Sequence, residues 1–104
     1  MKTRNITYDS VEYSGESNLN LEDAKDLFEK MNWDDSFYTL LFGDSFLQFL
    51  TVNPDEITVE IMLNEDDLLV ATKIVSIEEG LELIEYYFEN DKIGDISTFE
   101  QINL

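Results

Sequence analysis

A change of period at residue 37 constrains this chain more than any other feature. From there to residue 75, apolar residues come in short runs or at every second position, and turn-forming residues break the stretch too often for helices. Residues 37–42 and 46–52 are apolar runs joined by Gly43-Asp44, which predicts a tight hairpin. Asn53-Pro54-Asp55 makes the next turn. Residues 56–63 then alternate, with Ile57, Val59, Ile61 and Leu63 on one face and Thr58, Glu60 and Met62 on the other. After the turn Asn64-Glu65-Asp66-Asp67, residues 68–75 read as a fourth strand. Parallel neighbours need long crossovers, so connections this short predict an antiparallel meander.

Helical signals flank the meander. Asn20 sits where an N-cap belongs, followed by Leu21, Ala24, Leu27, Phe28 and Met31 at helical spacing. Glu22 and Asp23 in the first turn and Lys30 in the last suit the helix dipole. Ser76 and Glu79 form a capping box ahead of a second helix, whose core stripe is expected to be Ile77, Leu81, Ile84 and Phe88 with Tyr87 on its flank. Upstream, residues 6–13 are rich in β-formers and read as an edge strand, and residues 15–18 read as a break. The tail, with Ile96, Phe99 and Ile102, docks either as a strand or as irregular chain. The expected architecture is α+β, a four- to five-stranded antiparallel meander with two helices packed on the sheet. All 104 residues belong to one domain, and nothing in the chain repeats.

Apolar residues make up 43% of the chain, including seven Phe, five Tyr and one Trp, so a single core can be filled. Four Gly and one Pro leave no linker or low-complexity segment. The chain has no cysteine and no histidine, which excludes disulfides, thiolate zinc sites, cysteine nucleophiles and histidine-based triads. The start of the chain lacks an apolar signal core, and no run reaches the roughly 18 apolar residues of a membrane span. An anionic membrane surface would repel the chain, and a cytoplasmic location is expected.

Charge is the anomaly. Six Lys and Arg face 24 Asp and Glu, a formal net charge of −18. General halophilic acidity is one explanation, but the Ile, Phe and Tyr content and the Asn-rich loops are those of an ordinary mesophile. Between Asn32 and Asp91 fifteen acids stand against one base, Lys73. Alternate turns of a meander lie at the same end of the sheet, which puts Asp44 near Glu65, Asp66 and Asp67. Asp34, Asp35, Asp55 and Glu56 gather at the other end, with Glu78 and Glu79 opening the second helix nearby. Glu78, Glu82, Glu85 and Glu89 line one helix face, where like charges cost about 0.2–0.5 kcal/mol per pair. Turn and cap chemistry explain any one of these acids. The set, with its bases missing, points to a cationic partner.

Other chemistry is weakly signalled. With 24 acids, chance carboxylate pairs are unavoidable and do not indicate a glycosidase. Asp55-Glu56 and Glu65-Asp66-Asp67 offer oxygen ligands for a divalent ion, but no segment matches an EF-hand loop, and no metal or cofactor is expected. No phosphate-cradling glycine loop or nucleophile elbow is present. Nucleic acid would be repelled as a direct ligand. Trp33 is either a recognition aromatic or, more commonly, a helix-packing residue. Tyr8, Tyr13, Tyr38 and Tyr86 suit half-wet contacts, though some will pack the sheet margins.

The helix at residues 21–33, the aliphatic and aromatic strands at 37–52 and the closing helix Ser76-Ile77-Glu78-Glu79-Gly80-Leu81-Glu82-Leu83-Ile84-Glu85-Tyr86-Tyr87-Phe88 resemble the small acidic immunity proteins of bacterial polymorphic-toxin and contact-dependent growth inhibition systems. The resemblance covers most of residues 20 to 90 and carries no catalytic signature. It implies a non-catalytic protein that covers the cationic active site of a basic toxin, often a nuclease. Acids would steer association, and an aromatic would anchor it. Its expected partner-binding residues are Trp33, Tyr38 and Tyr86 as anchors, with Asp34, Asp35, Asp44, Asp55, Glu56, Glu60, Glu65, Asp66 and Asp67 as the acidic rim. A monomer is favoured, because copies repel one another. Two other readings remain open: a nucleic-acid mimic of anti-restriction or phage type, and a carboxylate-based divalent-ion binder.

Overall fold

The computed structural model describes residues 2–10, 14–31, 33, 36–42, 45–53, 56–64, 66, 69–90, 92 and 94–103. Its strands are β1 (Arg4–Asp9), β2 (Ser14–Leu19), β3 (Phe37–Phe42), β4 (Ser45–Asn53), β5 (Glu56–Asn64), β6 (Leu69–Val75) and β7 (Glu100–Asn103). Its helices are α1 (Leu21–Lys30) and α2 (Ile77–Asn90). The strands form one antiparallel sheet in the order β2-β1-β3-β4-β5-β6-β7. The α+β class and the β3–β6 meander match the sequence pattern, but the sheet has seven strands, not four to five.

The extra strands are the two edges. β2 occupies the segment expected to be a break, and its sequence, Ser-Gly-Glu-Ser-Asn-Leu, carries no apolar alternation. An edge strand with little to bury needs none. Its backbone pairs with β1 throughout, from Arg4↔Leu19 to Asp9↔Ser14. Gly15, at φ +150°, holds a conformation that side-chain-bearing residues rarely adopt. β1 is therefore interior, paired with β2 on one side and β3 on the other. β7 is the tail docked as a strand of four residues, polar except for Ile102.

Both helices lie on one face of the sheet. The cross-strand row Ile6↔Leu40↔Leu47↔Ile61↔Ala71 is fully buried beneath them. So are Tyr38, Phe49 and Val59 in the next row. The expected β5 alternation is present: Ile57, Val59 and Ile61 are buried, and Leu63 packs against the core. Phe28 of α1 is the hub, with ring centroids 4.9 Å from Trp33, 5.4 Å from Tyr38 and 4.8 Å from Phe49. Asn20 caps α1 by accepting from the Asp23 N–H at 2.8 Å, as its position predicts.

The capping box of α2 also forms, with the Glu79 N–H donating to Ser76 Oγ at 3.1 Å. The buried stripe of this helix differs from expectation: Gly80, Ile84, Tyr87 and Phe88 face the core, whereas Ile77 is 37% exposed and Leu81 half-buried. Gly80 explains the rotation. A Cβ there would stand 2.5 Å from Phe28 Cζ, so the missing side chain lets the Phe28 ring lie against the α2 backbone. That turns Tyr87 inward, its ring centroid 4.8 Å from that of Phe42. Among the described residues no helix is long and apolar enough to cross a membrane.

Candidate partner-binding surface

The side chains that alternate away from the helices form the other face of the sheet, over which no described element lies. Three rows cross it. The middle row is polar and runs through all seven strands: Glu16↔Thr7↔Thr39↔Gln48↔Glu60↔Thr72↔Glu100. Side-chain hydrogen bonds run along this face, Thr39 Oγ1 donating to Gln48 Oε1 at 3.3 Å within the row and Asn5 Nδ2, from the adjacent pair on β1, donating to Glu16 Oε1 at 2.8 Å. One flanking row is Phe37↔Leu50↔Thr58↔Ile74, with Asp9 beside Phe37. The other contains Leu41↔Phe46 and Met62↔Val70↔Ile102. Val70 is fully buried, but Leu41 is 45% and Ile74 59% exposed. Phe37, Phe46, Leu50 and Met62 are half-buried. Two apolar bands thus flank a polar row that ends in an acid at each edge and holds another, Glu60, inside.

None of the six bases is on this face. Arg4 lies 5.8 Å from the Phe88 ring centroid of α2, and Lys73 is 3.4 Å from Glu79 of the same helix. Lys25 is 3.4 Å from Glu85, and Lys2 donates to the Glu89 carbonyl oxygen at 2.8 Å. Lys30 ends α1, and Lys92 follows α2. The cation-poor stretch read from residues 32 to 91 is therefore not cation-poor in space, because bases from outside it fold onto α2. Glu78, Glu82, Glu85 and Glu89 are all exposed, as the helix pattern predicts, but Glu85 has a counterion.

The helix side holds two hollows. A groove of about 640 Å³ runs between α1 and α2, with Leu21 and Phe88 among Lys2, Lys25, Glu22, Asp26, Glu29, Glu85 and Glu89. A smaller one, about 320 Å³, lies between β6, α2 and the segment before β7, lined in part by Lys73, Tyr86, Asp95 and Phe99. Asp95 Oδ1 accepts from the Ser97 N–H at 2.9 Å, and hydrogen bonding to Ser97 holds its carboxyl below the usual range.

The described members of the expected site are not brought together. Tyr38 is wholly buried and Trp33 is 7% exposed, so neither is available as a surface anchor. Trp33 takes its helix-packing role, its Nε1 donating to the Phe28 carbonyl oxygen at 3.0 Å. The Tyr38 hydroxyl donates to the Ala24 carbonyl oxygen at 3.0 Å, and burial raises its pKa well above the ordinary tyrosine value. Tyr86 is exposed, at 36%, on the helix side. Glu56 and Asp66 are exposed near the two ends of β5, and Glu60 is half-buried at the centre of the open face. Asp34, Asp35, Asp44, Asp55, Glu65 and Asp67 lie outside the described residues, as does Tyr13. Among the described residues no three acids converge as a metal site would require.

Sequence reasoning did not identify the open apolar face itself. Its signal was present in strands 37–42 and 46–52, where apolar residues occupy both parities, but one-sided and two-sided burial cannot be told apart without knowing where the helices pack. Comparison with protein-family models, with curated proteins and with solved structures finds no match for this chain.

Proposed function

We propose that the protein is a non-catalytic binding protein that neutralises a basic protein toxin, in the manner of the immunity proteins its helices and strands resemble, with a nuclease domain as the favoured partner. The observation that carries this reading is that the acids among the described residues are mostly displayed to solvent without a counterion. Among the described acids only Glu79 and Glu85 meet a cation within ion-pair distance. Exposed pairs of that kind are worth about 0–1 kcal/mol each, far too little to offset the self-repulsion of a −18 chain. A nuclease groove is cationic because it attracts phosphate, and a partner of that kind would relieve the repulsion on binding. Steering by the field would raise the association rate toward about 10⁸ M⁻¹s⁻¹ at low salt.

A nucleic-acid mimic would need a continuous acidic track. The longest described row, on α2, is interrupted by Lys25 at Glu85, and its flanks carry Lys2 and Lys73. This favours the toxin-binding reading. The test is retention on the immobilised chain of the basic domain encoded beside its gene, or of basic proteins from the source organism, at low and high salt. Capture of a basic protein whose enzymatic activity is then lost at a one-to-one ratio is the expected result. Retention of nothing basic at either ionic strength rejects the proposal.

A further inference from the structure

We infer that the helix-free face of the sheet is the docking surface, and that its occupant is a basic protein presenting apolar side chains interspersed with Lys or Arg. The inference rests on the basic-partner reading and locates it. Three observations converge on this face. Leu41 and Ile74 are the two most exposed large apolar residues described, and both point away from the helices. Asp9, Glu16, Glu60 and Glu100 share the face with them, while all six bases sit on or beside the helices. Glu60 is half-buried between Gln48 and Thr72, and among the described residues no cation reaches it.

The chemistry of the occupant follows. Exposed apolar side chains bordered by polar and acidic ones mark an interaction site. Its acids at both edges and its interior carboxylate select a partner with cations at matching positions, one of which pairs with Glu60 once water is expelled. A second copy of the chain is the obvious competitor, because it would cover the same apolar bands. It is disfavoured by bringing Glu60 and the edge acids against their own kind, with −18 on each side.

The probe is an amphipathic peptide of Leu and Lys, with an all-Lys peptide of equal charge as control, titrated into the isotopically labelled full chain and followed by methyl NMR. The expected result is that the Leu/Lys peptide shifts the methyls of Leu41, Leu50, Met62 and Ile74. It should stay bound at about 0.5 M NaCl, where screening has released the all-Lys control. The double variant Leu41→Thr/Ile74→Thr should bind roughly tenfold more weakly or worse, as loss of central anchors does. Glu60→Gln should weaken binding a few-fold and flatten its salt dependence. Shifts confined to Leu21, Leu81 and Leu83 on the helix side would overturn the assignment, as would a double variant that binds like the parent. A dimer in sedimentation that the double variant abolishes would make a second copy the occupant and reject the basic partner. Failure to retain any basic protein, by contrast, removes the toxin-binding function without moving these methyl shifts, so the two failures are distinguishable.

Discussion

The two faces of the sheet are built from the same strands and put their apolar residues to different uses. On the helix side Ile6, Tyr38, Leu40, Leu47, Phe49, Val59 and Ile61 are fully buried, and the bases gather around the helices that cover them. On the other side Phe37, Leu41, Phe46, Leu50, Met62 and Ile74 stay partly in water, with acids and no base among them. Exposed apolar sheet normally invites self-association. The net charge of −18 works against this, so the acidity that would attract a cationic partner would also disfavour contact between copies of the open face. One face holds the fold, and the other leaves its apolar residues partly in water.

The strongest way to break this contrast is to truncate the hub of the covered face. Phe28 packs on three other rings, so Phe28→Ala should remove about 3–5 kcal/mol in urea unfolding. A loss below about 1 kcal/mol would mean that the helix layer does not carry the core as described. Gly80→Ala probes the same junction from the opposite side. Its Cβ would meet Phe28 Cζ at 2.5 Å, and the overpacking should cost about 1–3 kcal/mol. An unchanged midpoint would show that the Phe28 ring can swing aside.

Alkaline pH sharpens the contrast in another way. Burial raises the Tyr38 pKa in the folded chain, so its contribution to stability is full below the ordinary tyrosine value of about 10 and is lost as pH climbs beyond it. Tyr87 is raised too, mainly by burial; the hydrogen bond from the Gly94 N–H works against this, and the neighbouring Tyr86 adds to it. Thermal melts should therefore fall above pH about 10, with ionisation of Tyr38 and Tyr87 appearing at the unfolding transition rather than before it. Tyr38→Phe removes the bond to the Ala24 carbonyl and should cost about 1 kcal/mol at neutral pH while flattening the alkaline loss. A variant with the parent's alkaline slope would place the titrating group elsewhere. Asn20→Ala should cost about as much, about 1 kcal/mol, through the lost cap on α1.

Much of this was legible because local chemistry wrote it into the chain. Asn20, Ser76 and Glu79 are caps whose partners lie three residues away, and the alternation from Ile57 to Ile61 fixes which side of β5 is buried. What stayed hidden depends on partners distant in sequence. β2 is a strand only because β1 lies beside it, and its own residues carry no β signal. Tyr38 reads as a half-wet aromatic until the Ala24 carbonyl oxygen of α1 accepts a hydrogen bond from its hydroxyl. Glu85 reads as one of a row of uncompensated acids until Lys25, from another helix, folds against it. The open face was hidden for a related reason: Leu40 and Leu41 are the same residue type in one strand, and only the position of the helices separates their roles.

That pair offers the smallest and most discriminating test. Leu40 is fully buried on the helix side and Leu41, its neighbour, is 45% exposed on the other. Threonine is a strand former, so its backbone effect is similar at the two positions and the comparison isolates burial chemistry. At Leu40 the change places a hydroxyl in the core and opens a void, both destabilising by the general rules for buried sites. At Leu41 the hydroxyl reaches water and little packing is lost, so Leu41→Thr should leave the unfolding free energy within about 0.5 kcal/mol of the parent. The result acquires functional meaning only alongside binding: Leu41→Thr should be nearly silent in unfolding and still weaken association with a basic, apolar partner. If Leu41→Thr destabilises as much as Leu40→Thr, Leu41 holds the fold too, and the division between the two faces fails at the residue that defines it most sharply.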